Sequence, residues 1–251
     1  MHHNLIILSG QSNASGRALW EEDLLRDQAV IEAEICFDCD SISSFQGIVS
    51  SGGDFRYLQP EATKVFGPEV GLIRALMLRR VSNLAVIKFS RGATNLHTDW
   101  NPESGSGHQL YRALLDHIRT ACVSLEKRGH SFSLRGLAWM QGESDSSRAA
   151  DYQQHLEKFL SRLRRDLGQQ TLPVVIGRVA PTYHPGREEV RMAQLAIVET
   201  DPAATWVDTD DLQRFDRIHY DAAGTFELGL RMGHALVDLW ERLSLCEKSL
   251  N

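Results

Sequence analysis

Several things are scarce in this chain of 251 residues, and each scarcity excludes a class of protein. No apolar run approaches the roughly 20 residues that a membrane helix needs. Basic residues are not in excess: 27 Lys and Arg stand against 33 Asp and Glu, a net charge of -6, which argues against nucleic acid or an anionic membrane as partner. The basic residues are scattered, and the densest run, Arg162 to Arg165, reads as a solvated helix face. Only 4 cysteines are present, Cys36, Cys39, Cys122 and Cys246. Cys36 and Cys39 have redox-motif spacing, but there is no second pair to build a zinc site, and in an extended segment positions three apart face opposite ways. They read as mostly buried thiols, and no metal or cofactor is expected. The N-terminus lacks the positive charge, long apolar stretch and cleavage site of a signal peptide. The chain as given is expected to be cytoplasmic, with a processed secreted form as the alternative.

What is present is a regular alternation. Short aliphatic runs at Asn4–Leu8, Glu34–Phe37, Leu84–Phe89, Leu134–Met140, Leu172–Val179 and Thr205–Asp208 are continuous rather than alternating, as in strands buried on both faces. Amphipathic stretches stand between them: Leu19–Ile31, Gly67 to Val81, Leu110–Leu125, Ala149–Leu167, Glu188–Glu199 and Ala222–Leu243. Gly67-Pro68-Glu69 is a good helix start, with Pro in the first turn and an acid at the positive end of the dipole. Strand–helix alternation at this spacing implies right-handed crossovers and a parallel sheet covered by helices on both faces. No repeat, linker or composition break divides the chain, so residues 1–251 are expected to form a single domain. The long polar segment from Asp38 to Pro68 is expected to contribute to a substrate cleft.

In such a sheet the loops after the strands meet along one edge. Here they are Gly10-Gln11-Ser12-Asn13, Arg91-Gly92-Ala93-Thr94-Asn95 and Gln141-Gly142-Glu143-Ser144-Asp145. Ser12 is the best-placed nucleophile, but a serine hydroxyl is weak without a base. Asp216 and His219, just before the last helix, supply one: a single short segment can deliver an imidazole and a carboxylate that orients it. Taken alone, each of these blocks has a plain structural reading as a turn or a helix cap. Their conjunction on one sheet edge favours chemistry.

Gly10-Gln11-Ser12-Asn13 with Gly16, Gln141-Gly142-Glu143-Ser144-Asp145 and Asp216-x-x-His219 together resemble the SGNH (GDSL-like) hydrolase superfamily. Within it the chain is most similar to the carbohydrate esterase family 6 branch, the sialate O-acetylesterase-like and acetylxylan esterase proteins. Gly67-Pro68-Glu69-Val70-Gly71 and Thr94-Asn95-Leu96 with Trp100 also fit that branch. The resemblance implies a three-layer α/β/α sandwich of flavodoxin-like type and a metal-free, two-step acyl transfer. Ser12 would be the nucleophile, His219 the base and Asp216 its orienting acid. The backbone N–H groups of Ser12 and Gly92 and the side-chain amide of Gln141 would form the oxyanion hole. Gln11, Asn13, Asn95, Glu143 and Arg91 are candidates for supporting roles. Asn13 and Asn95 read mainly as turn-stabilising, Glu143 as structural rather than as a second acid, Asp145 as an acceptor for backbone donors, and Arg91 as a departure that narrows the cleft or meets an acidic sugar.

The expected substrate is an O-acetylated carbohydrate of the acetylxylan or xylo-oligosaccharide type. Sialate O-acetylesterase or a general short-chain ester hydrolase is the enzymatic alternative. A carbohydrate-binding protein with a vestigial triad is the alternative from another class. The sequence gives no handle on oligomeric state.

Overall fold

The computed structural model describes residues 1–19, 33–40, 48–57 and 65–249. The helix expected at Leu19–Ile31 and much of the 38–68 loop lie outside these residues. The main sheet is built from β1 (His2–Gly10), β3 (Glu34–Asp40), β4 (Ile48–Ser50), β5 (Arg56–Tyr57), β7 (Leu84–Ser90), β8 (Ser131–Met140), β9 (Val174–Gly177) and β10 (Ala204–Val207). Its order is β10-β9-β8-β1-β7-β3-β4, with β5 also paired to β3. All pairings from β10 across to β3 are parallel, whereas β4 and β5 run antiparallel to β3. The mixed α/β architecture with a mostly parallel central sheet is the one expected.

β1 sits between β7 and β8, and the chain builds β3 and β7 on one side before crossing to β8, β9 and β10 on the other. The carboxyl end of β1 is therefore the switch point, where open α/β sheets form their clefts. Leu5 to Leu8 are completely buried, as a strand covered on both faces requires.

The period of two along β8 shows what covers each face. The space beside Gly136 is filled by Leu236 of the last helix, Ala222–Ser249, and Gly177 faces Leu228 and Met232 of the same helix. Trp139, three residues on from Gly136, points the other way, into an edge-on and tilted cluster with Trp100 and Phe159. Helices Leu110–Lys127 and Tyr152–Asp166 belong to that second face, joined by Tyr111 against Phe159. In chain order we number the helices α1 (Ser12–Ser15), α2 (Glu69–Leu78), α3 (Leu110–Lys127), α4 (Tyr152–Asp166), α5 (Arg187–Thr200) and α6 (Ala222–Ser249). Helices α2 and α6 approach so closely that a Cβ on Gly71 would lie 2.0 Å from the Phe226 carbonyl oxygen, and one on Gly229 would lie 2.0 Å from that of Pro68.

Several boundaries differ from expectation. Ala18–Leu19 does not open a helix: it is β2, paired antiparallel with β6 (Val65–Phe66), with Ala18 buried and Leu19 exposed as strand alternation demands. Helix α2 stops at Leu78 rather than Val81, because Arg80 takes a left-handed conformation (φ 60°), and Leu78 at its end lies exposed. The helix expected from Ala149 begins at Tyr152, preceded by a 3-10 segment, Glu143–Asp151, whose Arg148 is not helical. Among the cysteines, Cys36 and Cys39 are buried, Cys122 is partly buried and Cys246 is exposed. Burial pushes the Cys36 thiol up to about 11, the opposite of what a redox-active thiolate needs.

One buried charge stands inside this apolar frame. Lys88, in the middle of β7, donates to Glu69 Oε2 and to the Ser15 carbonyl, each at 2.7 Å. Glu69 Oε1 accepts the Gly67 N–H at 2.8 Å, and both side chains of the ion pair are at most 4% exposed. The pair fastens the end of α1 and the start of α2 to the sheet. Removing one partner leaves the other charged and unpaired, so we predict that Lys88→Met lowers the unfolding free energy by about 3–5 kcal/mol. Urea denaturation measures it: the Lys88→Met/Glu69→Leu double variant should recover part of the loss, and a single-variant loss below about 1 kcal/mol would contradict the assignment.

Candidate active site

The turn after β1 is shaped by close contacts. Gly10 has φ 141°, and a Cβ there would fall 1.9 Å from the Met140 carbonyl oxygen, so only glycine fits between β1 and β8. Gln11 continues the ladder by donating its N–H to that same oxygen at 2.9 Å. The chain then coils into α1, whose Ala14 and Ser15 amides both bond to the Gln11 carbonyl. Ser12 stands in the first turn, where backbone N–H groups have no partner within the helix. It is buried, and its hydroxyl faces the loop between β10 and α6.

That loop is organised by Asp216. Its Oδ1 accepts the backbone N–H groups of Ile218 (2.7 Å) and His219 (2.6 Å), and its Oδ2 accepts from His219 Nδ1 at 2.7 Å. An Asp bonding to amides two and three residues on is a common turn device, and here it also fixes an imidazole. The loop is closed by the Phe215 N–H to the His219 carbonyl at 3.1 Å and by a bridge between Arg214 and Tyr220. With the proton on Nδ1 directed at Asp216, Nε2 presents its lone pair to Ser12 Oγ at 3.0 Å. Partial burial pushes the Asp216 carboxyl up, but the hydrogen bonds from the His219 ring and from the two amides outweigh it and hold it below the usual range. Asp216 therefore keeps its negative charge beside the imidazole well into acid.

The supporting residues divide into those that stitch loops together and those that hold a single turn. Asn13 Nδ2 donates to Glu143 Oε1 (2.6 Å) and to the Ile218 carbonyl (3.1 Å), and its Oδ1 accepts the Tyr220 N–H (3.4 Å). It thus grips both neighbours of His219 from the residue next to Ser12. Gln11 Oε1 accepts the N–H groups of Gly142 and Ser144, joining the first loop to the third. Asn95 binds Asp99 and caps Thr98, a turn-stabilising role. Asp145 Oδ1 accepts the Leu96 N–H at 2.8 Å.

Gln141 is placed differently from what its expected role needs, Glu143 takes the structural role expected of it, and Arg91 is already paired. Gln141 is fully buried, and its amide donates to Asp145 Oδ2 (2.5 Å) and the Thr94 carbonyl (3.3 Å), which uses both of its hydrogens and leaves none for an oxyanion. Glu143 is bonded to Asn13, with Asn13 in turn on the His219 loop, so it acts as a buttress and not as a second partner of the imidazole; burial pushes its carboxyl up. The Arg91 guanidinium is taken by Asp38, through a short ion pair to its carboxylate and a 3.0 Å bond to its carbonyl. Gly92, the other expected amide donor, lies on the same β7 turn as Arg91.

Sequence reasoning passed over four residues that complete the frame. Arg187, buried at the start of α5, donates to the Glu143 carbonyl and to Ser146 Oγ, and Gln194 and Tyr152 hold the Gln141 carbonyl. Lys88 is the fourth, and a lone lysine in the aliphatic run LAVIKFS was a readable signal. Among the described residues no group of three or more His, Cys, Asp or Glu is arranged to hold a metal ion, and no helix is long and apolar enough to cross a membrane.

A mostly parallel α/β sheet that brings a serine, a histidine and an aspartate together at its switch point defines a protein with the layout of an α/β hydrolytic enzyme. The family model described as carbohydrate esterase, sialic acid-specific acetylesterase, matches residues 2–238, and the chain belongs to that family. A probable carbohydrate esterase of Arabidopsis thaliana is 26% identical over 93% of this chain and 90% of its own length. Among solved structures, an Arabidopsis thaliana protein superposes with a TM-score of 0.72 at 20% identity, covering 94% of this chain and 98% of the other. A carbohydrate acetylesterase from Xanthomonas citri gives 0.63 at 16% identity over 92% and 55% of the two chains. At these identities the superpositions establish the fold. Membership of the family makes the chain an esterase acting on carbohydrate.

The buried Asp145 supplies a pH test of this scaffold. Burial pushes its carboxyl up to about 6, against the pull of the Gln141 and Leu96 donors. An acid whose folded value is raised contributes stability that is complete below its unfolded value, about 3.9 for Asp, and is lost as pH rises through the folded value. We predict that Asp145→Asn flattens the fall in stability between about pH 4 and 6. Thermal unfolding across that range checks it, and parallel profiles for the two proteins would contradict it.

Proposed function

We propose that the protein removes O-acetyl groups from carbohydrate through an acetyl-enzyme on Ser12. The observation that carries this reading is the continuous relay Asp216 Oδ2–His219 Nδ1, 2.7 Å, and His219 Nε2–Ser12 Oγ, 3.0 Å. Ser12 Oγ attacks the acetyl carbonyl carbon while His219 Nε2 takes its proton. Asp216, ionised and bound to Nδ1, stabilises the imidazolium that forms. The oxyanion is met by the backbone N–H of Ser12 and, from the turn after β7, of Gly92, donors that are worth a few kcal/mol each when aimed at developing charge. As the carbon–oxygen bond to the sugar breaks, Nε2 passes its proton to the departing oxygen. Water then attacks the acetyl carbonyl, giving its proton to Nε2, and the proton returns to Ser12 Oγ as acetate leaves.

Gln141 has a different part in this scheme from the one its sequence position suggested. Bonded to Thr94 and Asp145, it fixes the second and third loops to each other beneath the site. For the substrate, a neutral acetylated sugar of the xylo-oligosaccharide type is favoured by the engagement of Arg91 with Asp38, which removes the cation expected to meet an acidic sugar. The second reading is an O-acetylated sialic acid, supported by the family's description and by the exposed Arg217 between Asp216 and His219.

Two measurements test the proposal. Ser12→Ala should lower kcat on p-nitrophenyl acetate by about 10³-fold or more, and a rate equal to the wild type would defeat the serine mechanism. On acetylated xylo-oligosaccharide and O-acetyl sialic acid compared side by side, the larger kcat/KM should fall to the neutral sugar. A preference for the sialic acid would select the second reading, and turnover of neither would contradict both.

A further inference from the structure

Phe215 stands directly before the relay. Its ring is more than half exposed (56%), and it lies nearly parallel to the His219 imidazole, 15° between planes and 5.8 Å between centroids. A single exposed aromatic is ordinary on a protein surface. This one is held in place: the Phe215 N–H bonds to the His219 carbonyl, and Arg214 pairs with Tyr220, so the loop closes with the two rings opposed. The stacking fixes Phe215 on one flank of the imidazole, whose Nε2 edge is turned to Ser12.

The reaction decides what passes that flank. In the scheme above His219 protonates the leaving oxygen, so this oxygen must come within hydrogen-bond reach of Nε2. The acetyl group lies over Ser12, and the rest of the alcohol has to extend past the imidazole. A pyranose carries C–H bonds on its ring faces, and a flat aromatic side chain offers area and polarisable surface to such a face at little cost in conformational entropy. We propose that Phe215 is a platform for the sugar that leaves, a residue that selects pyranosyl acetates over small alkyl acetates. The inference rests on the acetylesterase reading and adds to it the place where the alcohol half of the substrate is recognised.

The test is the ratio of kcat/KM for an O-acetylated methyl xylopyranoside to that for ethyl acetate, measured for the wild type and for Phe215→Ala, Phe215→Leu and Phe215→Trp. A platform predicts that the ratio falls about fivefold in Phe215→Ala, the size of one aromatic contact. Phe215→Leu should fall as well, since it keeps bulk without a flat face, and the loss should appear chiefly in KM for the glycoside. Phe215→Trp should retain or raise the ratio. If the alanine variant slows both esters equally, Phe215 only packs against His219 and the platform is overturned; an unchanged ratio in every variant overturns it too. Ser12→Ala, run on both esters, keeps the two levels apart: if it hydrolyses them like the wild type, the acetylesterase reading fails whatever Phe215 does, and the platform falls with it.

Discussion

A buried lysine and glutamate at the base of the first loop are what the site depends on. Lys88 sends its ammonium group to Glu69 and to the Ser15 carbonyl, and Glu69 answers with the Gly67 amide. These bonds tie the last residue of the short helix that begins with Ser12 to the sheet and to the start of α2. A four-residue helix has almost no intrinsic stability. Its position is set by what holds its two ends: Gln11 bonded to Met140 at one, and Ser15 bonded to Lys88 at the other. Against well-packed apolar side chains, a buried ion pair of this kind contributes little net stability, while breaking it leaves an uncompensated buried charge. Here the arrangement it fixes is that of the turn that carries Ser12, the proposed nucleophile.

From that anchor the site is assembled by polar side chains that each span two loops. Gln11 reaches the third loop, Asn13 reaches Glu143 and both neighbours of His219, and Gln141 reaches the second loop and Asp145. The working distance between Ser12 and His219, residues from opposite ends of the chain, is thus set by a chain of buried hydrogen bonds and not by the flexibility of either loop. A network of this kind is strong when complete and costly when one member is lost. Asp216 contributes differently, by shaping its own short loop through two backbone amides and so presenting the imidazole with one nitrogen already occupied.

How far this could be read from the sequence depended on whether a feature is local. The parallel strands were legible because a strand buried on both faces writes a continuous aliphatic run, as Leu84 to Phe89 and Leu134 to Met140 do. The residues now within 3.0 Å of one another, Ser12 and His219, were legible because each follows from the rule that loops at the carboxyl edge converge. Non-local pairing was not legible. Ala18–Leu19 reads as the start of a helix until Val65–Phe66 is found beside it. The side-chain amide of Gln141 reads as an oxyanion donor until Asp145 and Thr94 are found using its hydrogens. Arg91 reads as an unpaired cation until Asp38, distant in sequence, is found against it. Phe215 carries no pattern at all in the sequence, since one aromatic in a loop says nothing of which ring it faces.

The central claim is that Ser12 carries the acetyl group between the sugar and water. The most direct measurement is peptide mapping by mass spectrometry after rapid acid quench of the enzyme turning over an acetylated methyl glycoside. The account predicts one acetyl group on the peptide that contains Ser12, formed on the timescale of turnover and absent from Ser12→Ala. Turnover without acetyl on that peptide, or with acetyl only on another side chain, would contradict it.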